Sequence, residues 1–213
     1  MKIIVFGAAG EVGSRIIQEA LLRGHAVSAV VRNENKLDRL PKGVLVHVLD
    51  VTDTKAVTQA MAGHDLAVSA LRPPEGEEMN LPELTKSVLN AAAESKTRVL
   101  IGGGAANLLM PDMSGHTVLT APNFLPKAVK PIAIACFAQY AYCVAEDSTD
   151  WTYFSPAAML ESGKRTGNYR RGSDILLVDE DGQSKISMED YSVAMMDEAE
   201  RPTANVKRVT VAY

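Results

Sequence analysis

The stretch KIIVFGAAGEVGS, residues 2–14, constrains this chain more than any other. A short run rich in β-branched residues leads straight into glycines at 7, 10 and 13, and Val12, Ile16, Ile17, Ala20 and Leu21 then share one face of a helical repeat. Glycine has the most backbone freedom to lose on folding, so it weakens the elements it interrupts. Three glycines at three-residue spacing, placed where a strand hands over to a helix, predict a turn whose geometry admits no side chain.

The pattern around that turn repeats. Gly24 stands where a helix ends in a left-handed residue, and AVSAVV (26–31) is a second strand. VLVHV (44–48) is a third, and Asp53 caps a helix through Ala56, Val57, Ala60 and Met61. LAVSAL (66–71) is a fourth strand, RPPEGEE a turn, and 82–95 a helix; RVLIGGG (98–104) is a fifth strand. A helix over 132–147 leads to WTYFS (151–155) as a sixth. ILLV (175–178) and SKIS (184–187) are expected as short strands. Ser187 and Asp190 form a capping box for a helix through Met196, and KRVTVA (207–212) closes the chain. Strands alternating with helices predict an α/β fold, a doubly wound parallel sheet with right-handed crossovers. All of 1–213 reads as one domain. Residues 105–131 are too long for a plain connection and are expected to serve function, while 156–174 is irregular and basic.

Composition narrows the function classes. A formal charge of −4 offers no basic field for nucleic-acid phosphates. There is no leader-like segment and no apolar run of spanning length, so a cytoplasmic protein without a membrane partner is expected. Cys136 and Cys143 lack metal-site spacing and read as reduced thiols, and no metal-ligand cluster is predicted.

A glycine triplet at a strand-to-helix turn suits a dinucleotide. One glycine makes the turn, one lets the main chain approach the diphosphate, and one lets the helix pack on the strand. Gly7, Gly10 and Gly13 take those roles in order, with the diphosphate above Ala8, Ala9, Gly10, Glu11 and Val12, at the positive end of the helix. A triphosphate loop would need a lysine that is missing here; a purely structural turn is the alternative. Arg32 ends the second strand where an acid would select NAD, so NADP(H) is favoured over NAD(H), unless Arg32 is only a solvated loop charge. Asp50 and Val51, then Ala70 and Leu71, end the third and fourth strands on the same edge; Asp50 suits the adenine amino group or simply belongs to its loop.

GAAGEVGSRIIQEALLRGHAVSAVVRN, LDVTD, GGGA and above all DWTYFSPAAMLESGKRTGNYR with LLVDEDGQSKISMEDYSVAMMDE resemble the atypical short-chain dehydrogenase/reductases grouped as NADH-flavin reductases, relatives of biliverdin reductase B and NmrA-like regulators. The resemblance covers nearly the whole chain. It implies an NAD(P)-binding Rossmann fold with a small C-terminal substrate lobe, residues about 156–190, and a nicotinamide pocket near Ser155 and Pro156, with Gly103 among the coenzyme contacts.

One departure bears on mechanism. Many short-chain dehydrogenases pair tyrosine with a lysine four residues on, which readies the phenol for proton transfer. No tyrosine of this chain has that lysine, and Ala105 and Ala106 stand where family members tend to carry serine. Hydride transfer to a flavin fits this gap, because the reduced ring delocalises its charge and takes its proton from water; holding two rings face to face is then the main task. The expected partner is thus a small flavin-like acceptor, with no catalytic residue assigned and the oligomeric state left open. A non-catalytic NADP(H) sensor is the alternative, and a sugar-nucleotide epimerase or dehydratase a weaker one. His116 reads as a solvated loop histidine or a proton donor, and Lys164, Arg165, Arg170 and Arg171 as a solvated face or an attractor of an acidic substrate.

Overall fold

In the computed structural model, which describes all residues Met1–Tyr213, the strand β1 (Lys2–Phe6) buries both of its faces. Ile3 and Val5 point to one side and Ile4 and Phe6 to the other, all four without solvent exposure. A strand so placed needs helices above and below it, which is why its sequence is continuously apolar rather than alternating.

Those layers come from α1 (Glu11–Leu22) and α5 (Met188–Glu200) on one face, and α2 (Thr54–Met61), α3 (Leu81–Ser95) and α4 (Lys130–Val144) on the other. The sheet also contains β2 (Ala26–Val31), β3 (Leu45–Val48), β4 (Leu66–Ser69), β5 (Arg98–Gly102), β6 (Trp151–Ser155), β8 (Arg170–Gly172) and β10 (Arg208–Ala212). Its order is β3-β2-β1-β4-β5-β6-β10-β8, parallel except for β8, which runs antiparallel to β10. The winding direction reverses between β1 and β4, whose register pairs Phe6 with Ser69. This is a doubly wound Rossmann-type fold, and its crevice lies where strand order reverses, outside the carboxyl ends of β1 and β4.

Local signals behave as the sequence predicts. Asp53 accepts from the Ala56 amide at 3.1 Å, the Ser187 hydroxyl accepts from the Asp190 amide at 2.9 Å, and Gly24 has φ +79°. Helix α4 starts and ends earlier than 132–147, and no helix is long and apolar enough to cross a membrane.

Two corrections concern the C-terminal third. The expected strand 175–178 does not form: Ile175 makes one bridge to Leu109, and Leu176 is buried beside Leu108 and Val118 in a small satellite cluster that gives residues 105–125 a core of their own. Conversely, the stretch expected to be irregular contains β7 (Met159–Glu161) and β8. Strand β7 pairs in parallel with β9 (Lys185–Ser187) as a separate two-stranded sheet. Neither short strand has an alternating apolar pattern, and β8, sequence RRG, is ordered by its partner β10 and by its arginines.

Buried carboxylates fasten this region to the main sheet. Glu19 of α1 receives Arg165 bidentately at 2.7 and 2.9 Å and Arg23 at 2.7 Å; Glu198 receives Arg98 at 3.0 Å and Arg171 at 2.5 Å. Arg170 donates to the Tyr213 carbonyl. Three of the four cations read as a possible substrate attractor thus serve the fold. Asp190, fully buried, accepts from the Thr166 amide and hydroxyl at 2.8 and 2.6 Å and the Gly167 amide at 2.7 Å, and lies 2.8 Å from the Tyr213 hydroxyl. Burial pushes its carboxyl pKa up, but these donors outweigh that and hold it below the ordinary value.

Removing the carboxylate by Asp190→Ala takes away the shared acceptor of the Thr166 and Gly167 donors and should cost about 1–3 kcal/mol, read as a lower urea midpoint with faster amide exchange at 163–169. Because the folded pKa is depressed, the carboxylate's contribution is complete at neutral pH and is lost as pH falls below about 4 through the folded value. The gap in stability between wild type and Asp190→Asn should therefore narrow on acidification.

Candidate functional site

The crevice at the reversal point is a cleft of about 490 Å³. Its floor is the turn after β1. Gly7 has φ +76°, and a Cβ there would come within 2.4 Å of the Ala70 carbonyl oxygen at the end of β4. A Cβ on Gly13 would sit 2.2 Å from the Gly7 carbonyl oxygen, so α1 can seat against the turn only without a side chain at that position. Gly10 differs: its φ is −78°, and the one close neighbour of an added Cβ is the Gly7 oxygen at 3.1 Å. Packing therefore demands glycine at 7 and 13, while Gly10 faces the cleft.

Gly10 is also the N-cap of α1 and brings no capping side chain. The first amide of the helix to find a carbonyl is Ser14, on Gly10 at 2.9 Å. The amides of Glu11, Val12 and Gly13 are left for an outside acceptor, at the positive end of the helix dipole. Bare main chain and unclaimed amides fit the diphosphate of a dinucleotide.

The walls come from the neighbouring strand ends. Arg32, Asn33 and Lys36 follow β2; Asp50, Val51 and Thr52 follow β3; Ala70, Leu71 and Arg72 follow β4. Neither Arg32 nor Lys36 nor Arg72 has a salt-bridge partner in the chain, whereas Arg15, Arg23, Arg98, Arg165, Arg171 and Arg208 all do. The Asp50 carboxyl is held below its ordinary pKa, first by the Thr52 amide and hydroxyl at 2.9 and 2.8 Å, and further by the charge of Arg32. Both Thr52 bonds fall on Oδ1, so Oδ2 remains an open acceptor.

Of the residues expected at a coenzyme site, Gly7, Ala9, Gly10, Arg32, Asp50, Val51, Ala70 and Leu71 line this one cleft. Ala8 is buried beneath the turn, and Glu11, Val12 and Gly13 form the first turn of α1 behind it. Gly103, Ser155 and Pro156 lie outside the cleft, after β5 and at the end of β6. A Cβ on Gly103 would overlap the Tyr153 ring at 1.9 Å, so this glycine answers to packing as well. The Ser155 hydroxyl is buried and has no partner within the chain. Lys36, Thr52 and Arg72 escaped the sequence reasoning. Lys36 lies in the short 3-10 helix Glu34–Arg39 that follows Arg32, and Arg72 directly after Leu71, and only the folded chain shows that both positions line the cleft.

No tyrosine beside the fifth-strand glycines is free to move a proton. The Tyr153 hydroxyl lies within hydrogen-bond reach of Gln139 Oε1 and the Cys136 carbonyl and accepts from the Gly104 amide, and the Tyr191 hydroxyl donates to the Phe154 carbonyl at 2.7 Å. Burial pushes both phenols far above their ordinary pKa. Burial likewise raises the Cys136 thiol to about 11, which leaves it protonated and inert. His116 is exposed, 3.5 Å from the Thr120 hydroxyl in its own loop.

Residues 7–202 match the family model described as NAD(P)H-binding. Across 99% of this chain and 98% of the relative, the sequence is 35% identical to the uncharacterized protein YwnB of Bacillus subtilis (strain 168). Among solved structures it is similar to a candidate epimerase from Bacteroides thetaiotaomicron, with 34% identity and a TM-score of 0.89 over 100% of this chain and 96% of that one. It is similar as well to a candidate NADH-flavin reductase from Streptococcus pneumoniae TIGR4, with 28% identity and a TM-score of 0.89 over 100% and 99% of the two chains.

The three glycines should separate on substitution. Gly7→Ala combines a left-handed φ with a main-chain clash and should cost about 2–4 kcal/mol of stability. Gly10→Ala should cost no more than about 1 kcal/mol yet weaken NAD(P)H binding sharply, because its methyl group enters the cradle; urea denaturation and calorimetry read the two effects.

Proposed function

Because this chain belongs to the NAD(P)H-binding family, we propose that it is a reductase that draws on NADPH in preference to NADH and passes hydride to a flavin or a similarly planar, conjugated acceptor. The coenzyme, when bound, supplies the hydride. The chain binds and orients. Main-chain amides of Glu11, Val12 and Gly13 receive the diphosphate over Ala8, Ala9 and Gly10, and Arg32 takes the 2′-phosphate as a guanidinium suited to bidentate phosphate contacts. Asp50 Oδ2 accepts from the adenine amino group. Val51, Ala70 and Leu71 flank the bound nucleotide, whose nicotinamide end lies toward Gly103, Ser155 and Pro156. Residues about 156–190 act as a small lobe on the acceptor side.

The observation that carries this reading is Arg32, without an ion-pair partner at the end of β2 and on the wall of a cleft floored by bare main chain. The acceptor class follows from what the site lacks. Tyr153 and Tyr191 are committed to the core, and Ala105 and Ala106 bring no hydroxyl, so an acceptor that draws its proton from water fits better than a ketone that must be protonated by the protein.

Mixing the purified protein with NADPH and FMN without oxygen, and following the nicotinamide absorbance, tests the reading directly. Turnover is expected. Tight binding of NADP⁺ and NADPH with no turnover on any flavin or quinone would instead make the protein a sensor. Arg32→Glu should weaken NADPH relative to NADH by about 10–30-fold, the equivalent of about 1.4–2 kcal/mol; equal weakening of both would remove the 2′-phosphate role.

A further inference from the structure

Helix α4 is unlike the other helices on the surface. Its neighbour α3 turns Glu83, Lys86, Asn90 and Glu94 to solvent, an ordinary hydrated face. Over its fifteen residues α4 has one charged side chain, Lys130, at its first position. Besides Pro131 in its first turn, its exposed residues are Lys130, Ile134, Phe137, Ala141 and Val144, with Ile134 at 47%, Phe137 at 38% and Val144 at 59% exposure. Their spacing is four, three, four, three. That is the period at which one helix packs along another in a left-handed crossing, and the opposite side of α4 already meets α3 and the core through Ala135, Cys136, Gln139 and Cys143.

The charges at the two ends of the helix indicate what covers this seam. Lys127 and Lys130 stand at the N-terminal end, Glu146 and Asp147 just past the C-terminal end. For a lone helix this is the unfavourable arrangement, with cations at the positive pole of the dipole and anions at the negative pole. Lys127, Lys130 and Asp147 have no ion-pair or hydrogen-bonded side-chain partner in the chain, and Glu146 is tied only to Ser148, through its amide and hydroxyl. A second α4 laid antiparallel reverses the balance. Each lysine end then meets an acidic end and the negative pole of the other helix.

We propose that the partner is a second copy of this chain, joined across a two-fold axis near Phe137 by antiparallel packing of the two α4 helices. The seam from Lys130 to Val144 is about 21 Å long at 1.5 Å per residue. It places Ile134 against the smaller Ala141 of the other copy, and the two Phe137 side chains close together near the axis. One self-complementary patch per chain gives a closed dimer and no further growth. The carboxyl edge of the sheet that holds the cleft remains open in this arrangement, because the seam comes from the outward face of α4.

Light scattering on the intact protein from micromolar to sub-millimolar concentration tests this. The mass should rise from one 22.9 kDa chain toward two. Phe137→Asp should hold it at one, and Val144→Glu, at the far end of the seam, should do the same; circular dichroism identifies whichever variant is folded. Lys127→Glu with Lys130→Glu should move the midpoint about tenfold to higher concentration, and adding Glu146→Lys with Asp147→Lys should bring it back. The fourfold swap also favours the helix's own dipole, so loss of folding does not mimic dissociation. A protein that remains at one chain throughout overturns the proposal. So does a dimer indifferent to both apolar-to-acid variants, or one that the charge swap fails to restore.

Discussion

Everything at the carboxyl edge of the sheet depends on how closely three stretches of main chain approach one another. The turn after β1 lies against the end of β4 with room for a hydrogen at Gly7 and nothing larger, and α1 is seated on that same turn through Gly13. This contact sets the angle at which the helix leaves the strand. It also leaves the amides of residues 11–13 pointing outward, and it fixes the place where strand order reverses. The walls of the cleft, from Arg32 to Arg72, are simply the ends of the strands that flank this contact.

The site divides its electrostatics by location. Cations that serve the fold are matched to buried carboxylates, as Arg165 is to Glu19 and Arg98 and Arg171 are to Glu198. Those on the cleft wall are left without partners. A buried charge without a partner is strongly unfavourable, while one at the rim of an open cleft stays hydrated at little cost. The contrast therefore reflects which guanidinium groups are available to a ligand. It also explains why the basic stretch near 164–171, conspicuous in the sequence, contributes less to the cleft than the single Arg32.

What could be read from the sequence was what is local. The strands β1, β2, β6 and β10, the caps at Asp53 and Ser187, and the left-handed Gly24 each follow from a few adjacent residues whose side chains or conformational freedom determine the outcome. The misses are nonlocal. Strand β8 exists because β10 offers it an edge, and ILLV at 175–178 looks like a strand yet packs on Leu108 and Val118 instead. Lys36 and Arg72 occupy the cleft because of the paths their loops take. Helix α4 is a different case: its sequence is apolar on nearly all sides, and only the fold separates the side facing the core from the side facing out.

The region after β6 is held at a few points rather than along a continuous surface. Glu19, Asp190 and Glu198, carried by α1 and α5, grip Arg165, Thr166, Gly167 and Arg171, and the residues between these anchors are mostly exposed. Such a region can be lengthened, shortened or rewritten between its rivets while the rest of the molecule goes on folding as before. A scaffold of this kind lets descendants rewrite a single short segment, with the sheet and the cleft at its point of reversal inherited intact.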